Sequence, residues 1–278
     1  MQTVSLTWQH SMELAAVLAA AGVAAAVPDR PKLRAVGALL RETAIIGLLY
    51  GLWQLAGHLS LHDTGNAYAR ADTIRHWERF LPLPSEEAVQ HAFLHWHWFI
   101  QAANLYYATM HFTMLFVFLL WLFLRHRDRY RPIRQVLAWT TLGCLLVQLV
   151  PVAPPRMRPG IVDTAMQYGQ SVYSNGLAAD QLSAMPSVHV AWAVLVGWYT
   201  WHVATSRWRV LGPIHSVVTI FVVVLTGNHW WSDGIVAVTI LVICAWAVRG
   251  VRHAWHVLRS RSVPATASDG VPEPVASS

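Results

Sequence analysis

Long apolar stretches alternate with short polar, mostly basic segments from near the start of the chain to about position 250. A helix needs about 20 predominantly apolar residues to cross the hydrocarbon core of a bilayer. Seven stretches approach that length: Met12–Val27, Val36–Ala56, Phe99–Phe123, Val136–Val152, Ser187–Thr205, Leu211–Leu225 and Ser232–Val248. The first is short and Ala-rich, and no Lys or Arg precedes it. It reads as a seventh span or as a helix lying on the membrane surface, and not as a signal peptide. The pattern predicts an all-α polytopic membrane helix bundle with six or seven transmembrane helices.

The segment 57–98 is too long for a simple connection and predicts an extramembrane insertion. Within it, Asn66–Phe80 has the makings of a short amphipathic helix that Pro82–Pro84 ends. Ser85, Glu86 and Glu87 then supply a cap and an acidic first turn for another helix. The chain divides into an N-terminal apolar helix with a basic loop (1–34), a transmembrane domain (35–261) and a Ser-, Pro- and Ala-rich tail (262–278) that predicts disorder.

Composition sharpens this picture. Only 12% of the residues are charged, against about 25% in soluble domains. The 15 tryptophans suit a membrane–water boundary, where a ring with one N–H donor finds both environments. The two cysteines, Cys144 and Cys244, sit inside apolar stretches and read as packing residues. The net charge of +6 does not mark a nucleic-acid binder, because the basic residues recur between apolar blocks instead of forming one face or arm. Segments 28–34, 125–134, 205–212 and 249–261 hold 14 of the 20 Lys and Arg residues, and five lie on the opposite side. The positive-inside rule then places 57–98 and 153–186 outside and the C-terminus in the cytoplasm. The Ala- and Arg-rich composition points to a bacterial plasma membrane.

Three polar clusters fall on the expected outer side. The first is Ala153-Pro-Pro-Arg156-Met-Arg158-Pro159-Gly160, the second Ser183-Ala-Met-Pro186-Ser187-Val-His189, and the third Thr226-Gly-Asn228-His229-Trp-Trp-Ser-Asp233. At helical spacing His229 and Asp233 share one face, so the carboxylate can hold one ring nitrogen's proton and leave the other lone pair outward. That arrangement suits a histidine nucleophile or base. Pro186 suits a first helical turn, and Ser183 or Ser187 can cap it. The N–H groups of such a helix end bind phosphate, with His189 in the first turn. Arg156 and Arg158 offer guanidinium forks for phosphate. Each cluster alone reads more simply as a capped helix end, a local pair or headgroup contacts. Together they supply charge neutralisation, a nucleophile and a proton donor for phosphoryl transfer without a metal or other cofactor.

The three clusters, in this order, resemble the type 2 phosphatidic acid phosphatase superfamily. Its second motif, Pro-Ser-x-His, is matched by Pro186, Ser187 and His189, and its third, ending His-x-x-x-Asp, by His229 and Asp233. The first motif's terminal Arg-Pro is matched by Arg158-Pro159, but Pro151 stands where a Lys is usual and Val223 where an Arg is usual. Ala-Pro-Pro-Arg, Ser-x-x-Pro-Ser-x-His and Gly-Asn-His-x-x-x-Asp look like the branch containing inositolphosphorylceramide synthases, as does Asn104-Leu-Tyr-Tyr107 with His111. The resemblance covers roughly Arg70 to Trp246. It implies that His229 is the nucleophile forming a phosphohistidine, that Asp233 orients it, and that His189 protonates the leaving oxygen. Arg156, in preference to Arg158, would hold the phosphate with Ser187. Asn104, Tyr107, His111 and Asn228 would line a substrate pocket. The implied partners are a membrane lipid substrate and the bilayer. Water as acceptor gives a phosphatase, and an alcohol gives an inositolphosphate- or phosphocholine-type transferase.

Two other signals point elsewhere. His91 and His95 have the helical spacing of zinc ligands, with His97 close by, but no carboxylate or cysteine completes a set. Arg41 and Glu42 lie within a span, where charge is costly and is paired or functional. Interhelical pairing is the simpler expectation, and a transporter is the non-enzyme alternative.

Overall fold

The computed structural model describes residues 7–60, 64–169 and 181–261. The tail expected to be disordered, 262–278, lies outside the described residues. Ten α-helices run α1 (Trp8–Ala24), α2 (Pro31–Ser60), α3 (Thr64–Glu78), α4 (Glu86–Phe93), α5 (His97–Arg125), α6 (Arg127–Gln148), α7 (Thr164–Tyr168), α8 (Val188–Val203), α9 (Leu211–Leu225) and α10 (Trp231–Arg261). Among the described residues there is no named strand, only one isolated parallel bridge, Val152 to Ser183.

Among the described residues, four segments are long and apolar enough to cross a membrane: Pro31–Leu55, His97–Arg125, Arg207–Leu225 and Trp231–Arg259. These helices are compatible with an integral membrane protein. The other three expected spans form helices that fall short for different reasons. α1 has 17 residues and α8 has 16, below the length a perpendicular crossing needs. α6 has 22, but its first third carries Arg127, Asp128, Arg129, Arg131 and Arg134.

α8 packs against α5, α6, α9 and α10 and is therefore the central helix. It is apolar nearly all round, and it buries Val190, Ala191, Ala193, Leu195, Val196 and Gly197 while Trp198 and Trp201 near its C-terminus are exposed. Its contact with α9 is close because Gly197 faces Gly212, where an added Cβ would lie 2.9 Å from the Gly212 carbonyl oxygen. The outward faces carry exposed Leu105, Phe112, Phe116, Ile235, Ile243 and Trp246, an apolar surface suited to lipid.

The charges within the second apolar stretch are paired. The Arg41 guanidinium donates to the carbonyl of Gly22 on α1 at 2.7 Å. Glu42 accepts from Arg134 on α6 and from the Tyr130 hydroxyl at 3.2 Å. Both residues thus serve interhelical packing.

The segment between α2 and α5 folds over one end of the bundle. α3 follows the expected amphipathic helix and turns its small face, Ala67 and Ala71, onto Val152, Ala153, Leu182, Ala184 and Trp230. α4 begins as expected, with Ser85 Oγ accepting the Ala88 N–H at 3.2 Å. That end, where the three polar clusters meet, is called the site end below.

Candidate active site

The loops carrying the three clusters are bound to one another through their backbones. The Val152 N–H donates to Leu182 at 2.7 Å and its carbonyl accepts from Ala184 at 3.2 Å, which joins the first cluster to the second. The Arg156 N–H donates to Gly227 at 2.8 Å, joining the first to the third. The Ser187 N–H donates to the Asp233 carbonyl at 3.2 Å, joining the second to the third. Gly227 has φ +68°, and a Cβ there would press on Arg156 Cβ at 3.2 Å, so both its conformation and its neighbour call for glycine.

Ser187 is fully buried and is the N-cap of α8, its Oγ accepting the Val190 N–H at 3.3 Å. Pro186, expected in the first turn, instead precedes the cap, because Ser187 takes the cap position and leaves Pro186 outside the helix. His189 is the second residue of α8 and is enclosed by aromatic rings. Tyr107 stacks on it with centroids 4.5 Å apart, His111 meets it edge-on at 4.2 Å, and His229 lies 5.5 Å away.

His229 is buried just before α10. Its Nδ1 lies 2.7 Å from the Ala184 carbonyl oxygen and 3.3 Å from Asp233 Oδ2. Both partners are acceptors, so Nδ1 carries the proton and Nε2 presents a lone pair. Nε2 is buried and has no hydrogen-bond partner among the described residues. Burial, reinforced by the nearby Arg156 charge, lowers the His229 pKa to about 4, which keeps that lone pair available at neutral pH. Asp233 is fully buried and also accepts the Trp230 N–H at 2.8 Å, closing the turn that presents His229.

The two arginines have different surroundings. Arg156 is buried, donates to Asn228 Oδ1 at 2.7 Å and places Nε 3.4 Å from Asp163 Oδ2. Asn228 in turn donates to Thr226 Oγ1 at 2.8 Å, so its amide is fixed as a support for Arg156. Arg158 turns the other way, pairing with Asp72 on α3 and lying 5.7 Å over the Tyr68 ring. Of the expected pocket residues, Tyr107 and His111 line a cleft beside His189. The Asn104 side chain instead donates to the Thr164 carbonyl at 3.1 Å and accepts from the Thr164 hydroxyl at 2.8 Å, fastening α5 to α7. His91, His95 and His97 are exposed, and among the described residues no group of His, Cys, Asp or Glu side chains converges as a metal-binding set.

Several positioning residues were not evident from local pattern. The first amides of α10 are capped by carboxylates from the segment far earlier in the chain. The Trp231 N–H donates to Glu86 at 3.2 Å and the Ser232 N–H to Glu78 at 2.7 Å. Glu78 and Glu86 thus place acceptor oxygens at the positive end of the helix dipole. Burial, followed by the neighbouring Glu78 charge, raises the Glu86 pKa to about 8. Gln90, fully buried, donates to the Val162 carbonyl at 2.9 Å and accepts the Val162 N–H at 2.7 Å. Gln148 donates to the Pro186 carbonyl at 3.1 Å.

A sequence model described as the PAP2 superfamily matches residues 72–247, and the chain belongs to that superfamily. Its members are phosphatases and phosphotransferases, which supports an enzyme acting on phosphate esters. No curated protein and no solved structure matches the chain.

Proposed function

We propose that the protein hydrolyses or transfers a phosphate ester on a membrane lipid-type substrate, without a metal, through a phosphohistidine intermediate at the extracytoplasmic face. The observation that carries this reading is the His229 ring. Its Nδ1 is held by Ala184 and Asp233, its Nε2 is unpartnered, and His189 lies 5.5 Å away. In the first step Nε2 attacks phosphorus, the bond to the leaving oxygen breaks, and His189 gives that oxygen a proton. In the second, His189 takes a proton from water or an alcohol whose oxygen attacks phosphorus, and the phosphorus–nitrogen bond breaks. Arg156 and the α8 N-terminus neutralise the phosphate charge. Arg156, buried and joined by its backbone to the third cluster, is the better candidate phosphate ligand than Arg158, which turns to Asp72 on α3.

The second reading, an inositolphosphate- or phosphocholine-type transferase, is favoured by the same arrangement, since Pro-Pro-Arg156 is the pattern of that branch. The bundle then has six or seven spans, with short α8 enclosed and α6 entering by its basic end. The site opens outward, a reading that the distribution of Lys and Arg supports.

The test is to incubate purified protein with a panel of lipid phosphates, with and without inositol, and to measure free phosphate against transferred product. Activity is expected to persist in EDTA. Loss in chelator with recovery on Mg²⁺ or Zn²⁺ would overturn the metal-free mechanism.

A further inference from the structure

Beside the paired histidines lies a cleft that the phosphoryl chemistry does not use. Its free volume is about 10 Å³, room for one water-sized group, and it is lined by Tyr106, Tyr107 and His111 of α5, His189 of α8, and Thr219, Val222 and Val223 of α9. The α5 and α9 walls belong to segments apolar and long enough to cross a membrane. The cleft thus admits a small polar group such as a hydroxyl or an N–H. His189 lines both this cleft and the phosphate site, so the group attached to the oxygen it protonates lies on the cleft side.

The polar groups of the cleft differ in what they can still do. The Tyr106 hydroxyl is already engaged, 2.6 Å from His215 Nδ1 and 2.9 Å from Thr219 Oγ1. His111 is fixed differently. Its Nδ1 lies 3.0 Å from the Tyr107 carbonyl oxygen. A carbonyl can only accept, so Nδ1 carries the proton and Nε2 of the neutral ring is an acceptor. The His111 and His189 ring centroids are 4.2 Å apart. A substrate whose leaving oxygen meets His189 has its neighbouring carbon's substituent within reach of His111.

Resting on the phosphoester reading above, we propose that His111 selects lipid phosphates whose alcohol carries a hydrogen-bond donor beside the phosphorylated carbon. That donor is a free hydroxyl or an amide N–H. A substrate lacking it sets an apolar group or an ester oxygen against the His111 lone pair in a poorly hydrated cleft, leaving a polar group unpaired. His111 is thus a specificity-determining residue, distinct from the pair that handles phosphorus.

The test compares 1-oleoyl-lysophosphatidic acid with its 2-deoxy analogue, which has the same chain and phosphate but no hydroxyl. Ceramide 1-phosphate and dioleoyl phosphatidic acid form a second pair. Each is assayed with the full-length wild-type protein in lipid nanodiscs, with and without inositol, measuring kcat/KM for phosphate released or transferred. The donor-bearing member of each pair is expected to be favoured by about tenfold. His111→Phe should bring the ratio near one, while His111→Gln, which keeps an acceptor, should retain part of it. Equal wild-type values within the pairs overturn the inference alone. So does a uniform drop across all four substrates in His111→Phe, which would place His111 behind His189 and not against the substrate. If His111→Phe does not fold, the wild-type ratio decides by itself. No turnover of any phosphate ester overturns the phosphoester reading and this inference with it.

Discussion

The Nδ1 atom of His229 lies 2.7 Å from the carbonyl oxygen of Ala184, closer than its 3.3 Å separation from the Asp233 carboxylate. The ring is therefore oriented by a backbone oxygen from the second cluster as well as by its own helix's aspartate. Asp233→Asn should leave the tautomer largely in place, because the Ala184 carbonyl still accepts the proton. We expect kcat to fall about 10²-fold, from loss of the charge that stabilises the ring as it bonds to phosphorus. A loss as deep as that of His229→Ala, measured by initial rates of phosphate release, would mean the carboxylate alone orients the ring.

His229→Ala should abolish turnover, by more than the ~10²–10⁴ that one acid–base group contributes, because the proposed covalent intermediate forms on its Nε2. Helix content by circular dichroism should stay unchanged. Turnover within tenfold of wild type in a folded variant would rule out the phosphohistidine.

Lysine substitutions separate the two arginines. Arg156→Lys keeps charge but loses the fork that holds Asn228 and Asp163, and we expect about a 10²-fold fall in kcat/KM. Arg158→Lys can still reach Asp72 at the surface of α3, and activity should stay within about threefold, as exposed ion pairs contribute little. The opposite ranking would return the protein to the general lipid phosphatases.

Glu86 gives a pH dependence. Its folded pKa of about 8 lies above the unfolded value near 4.5, so folding favours its protonated form. The contribution to stability is complete below about pH 4.5, declines as pH rises toward 8 and is gone above it. The thermal midpoint of the wild type should fall between pH 5 and pH 8 more steeply than that of Glu86→Gln, in which the proton cannot leave. Superimposable melting curves across that range would show that Glu86 is not held protonated.

What the sequence could reveal depended on range. The helix starts at Ser85 and Ser187 were visible because a capping hydroxyl and the N–H that donates to it lie three residues apart. The pairing of His229 with Asp233 was visible for the same reason, one helical turn. Ala184 as a ring acceptor was not, because any residue offers a carbonyl and only the bridge between Val152 and Ser183 brings this one to the imidazole. Asn104 shared its helix face with Tyr107 and His111, yet its amide is consumed by Thr164 in a turn whose position local pattern does not specify. The number of spans was legible only in part, because apolar runs such as those around Val136 and Val196 do not state how long a helix forms or how much of it packs inside the bundle.

The carboxylates over the first turn of α10 reach across 145 and 154 residues of chain. The ribosome makes Glu78 and Glu86 early and the amides they cap almost last. The turn that presents His229 is thus fastened only when α10 arrives, after Arg156 and Ser187 already exist. A chain cut short before Trp231 has the cradle without the turn that aims His229. Termination before that point is expected to leave a chain without turnover.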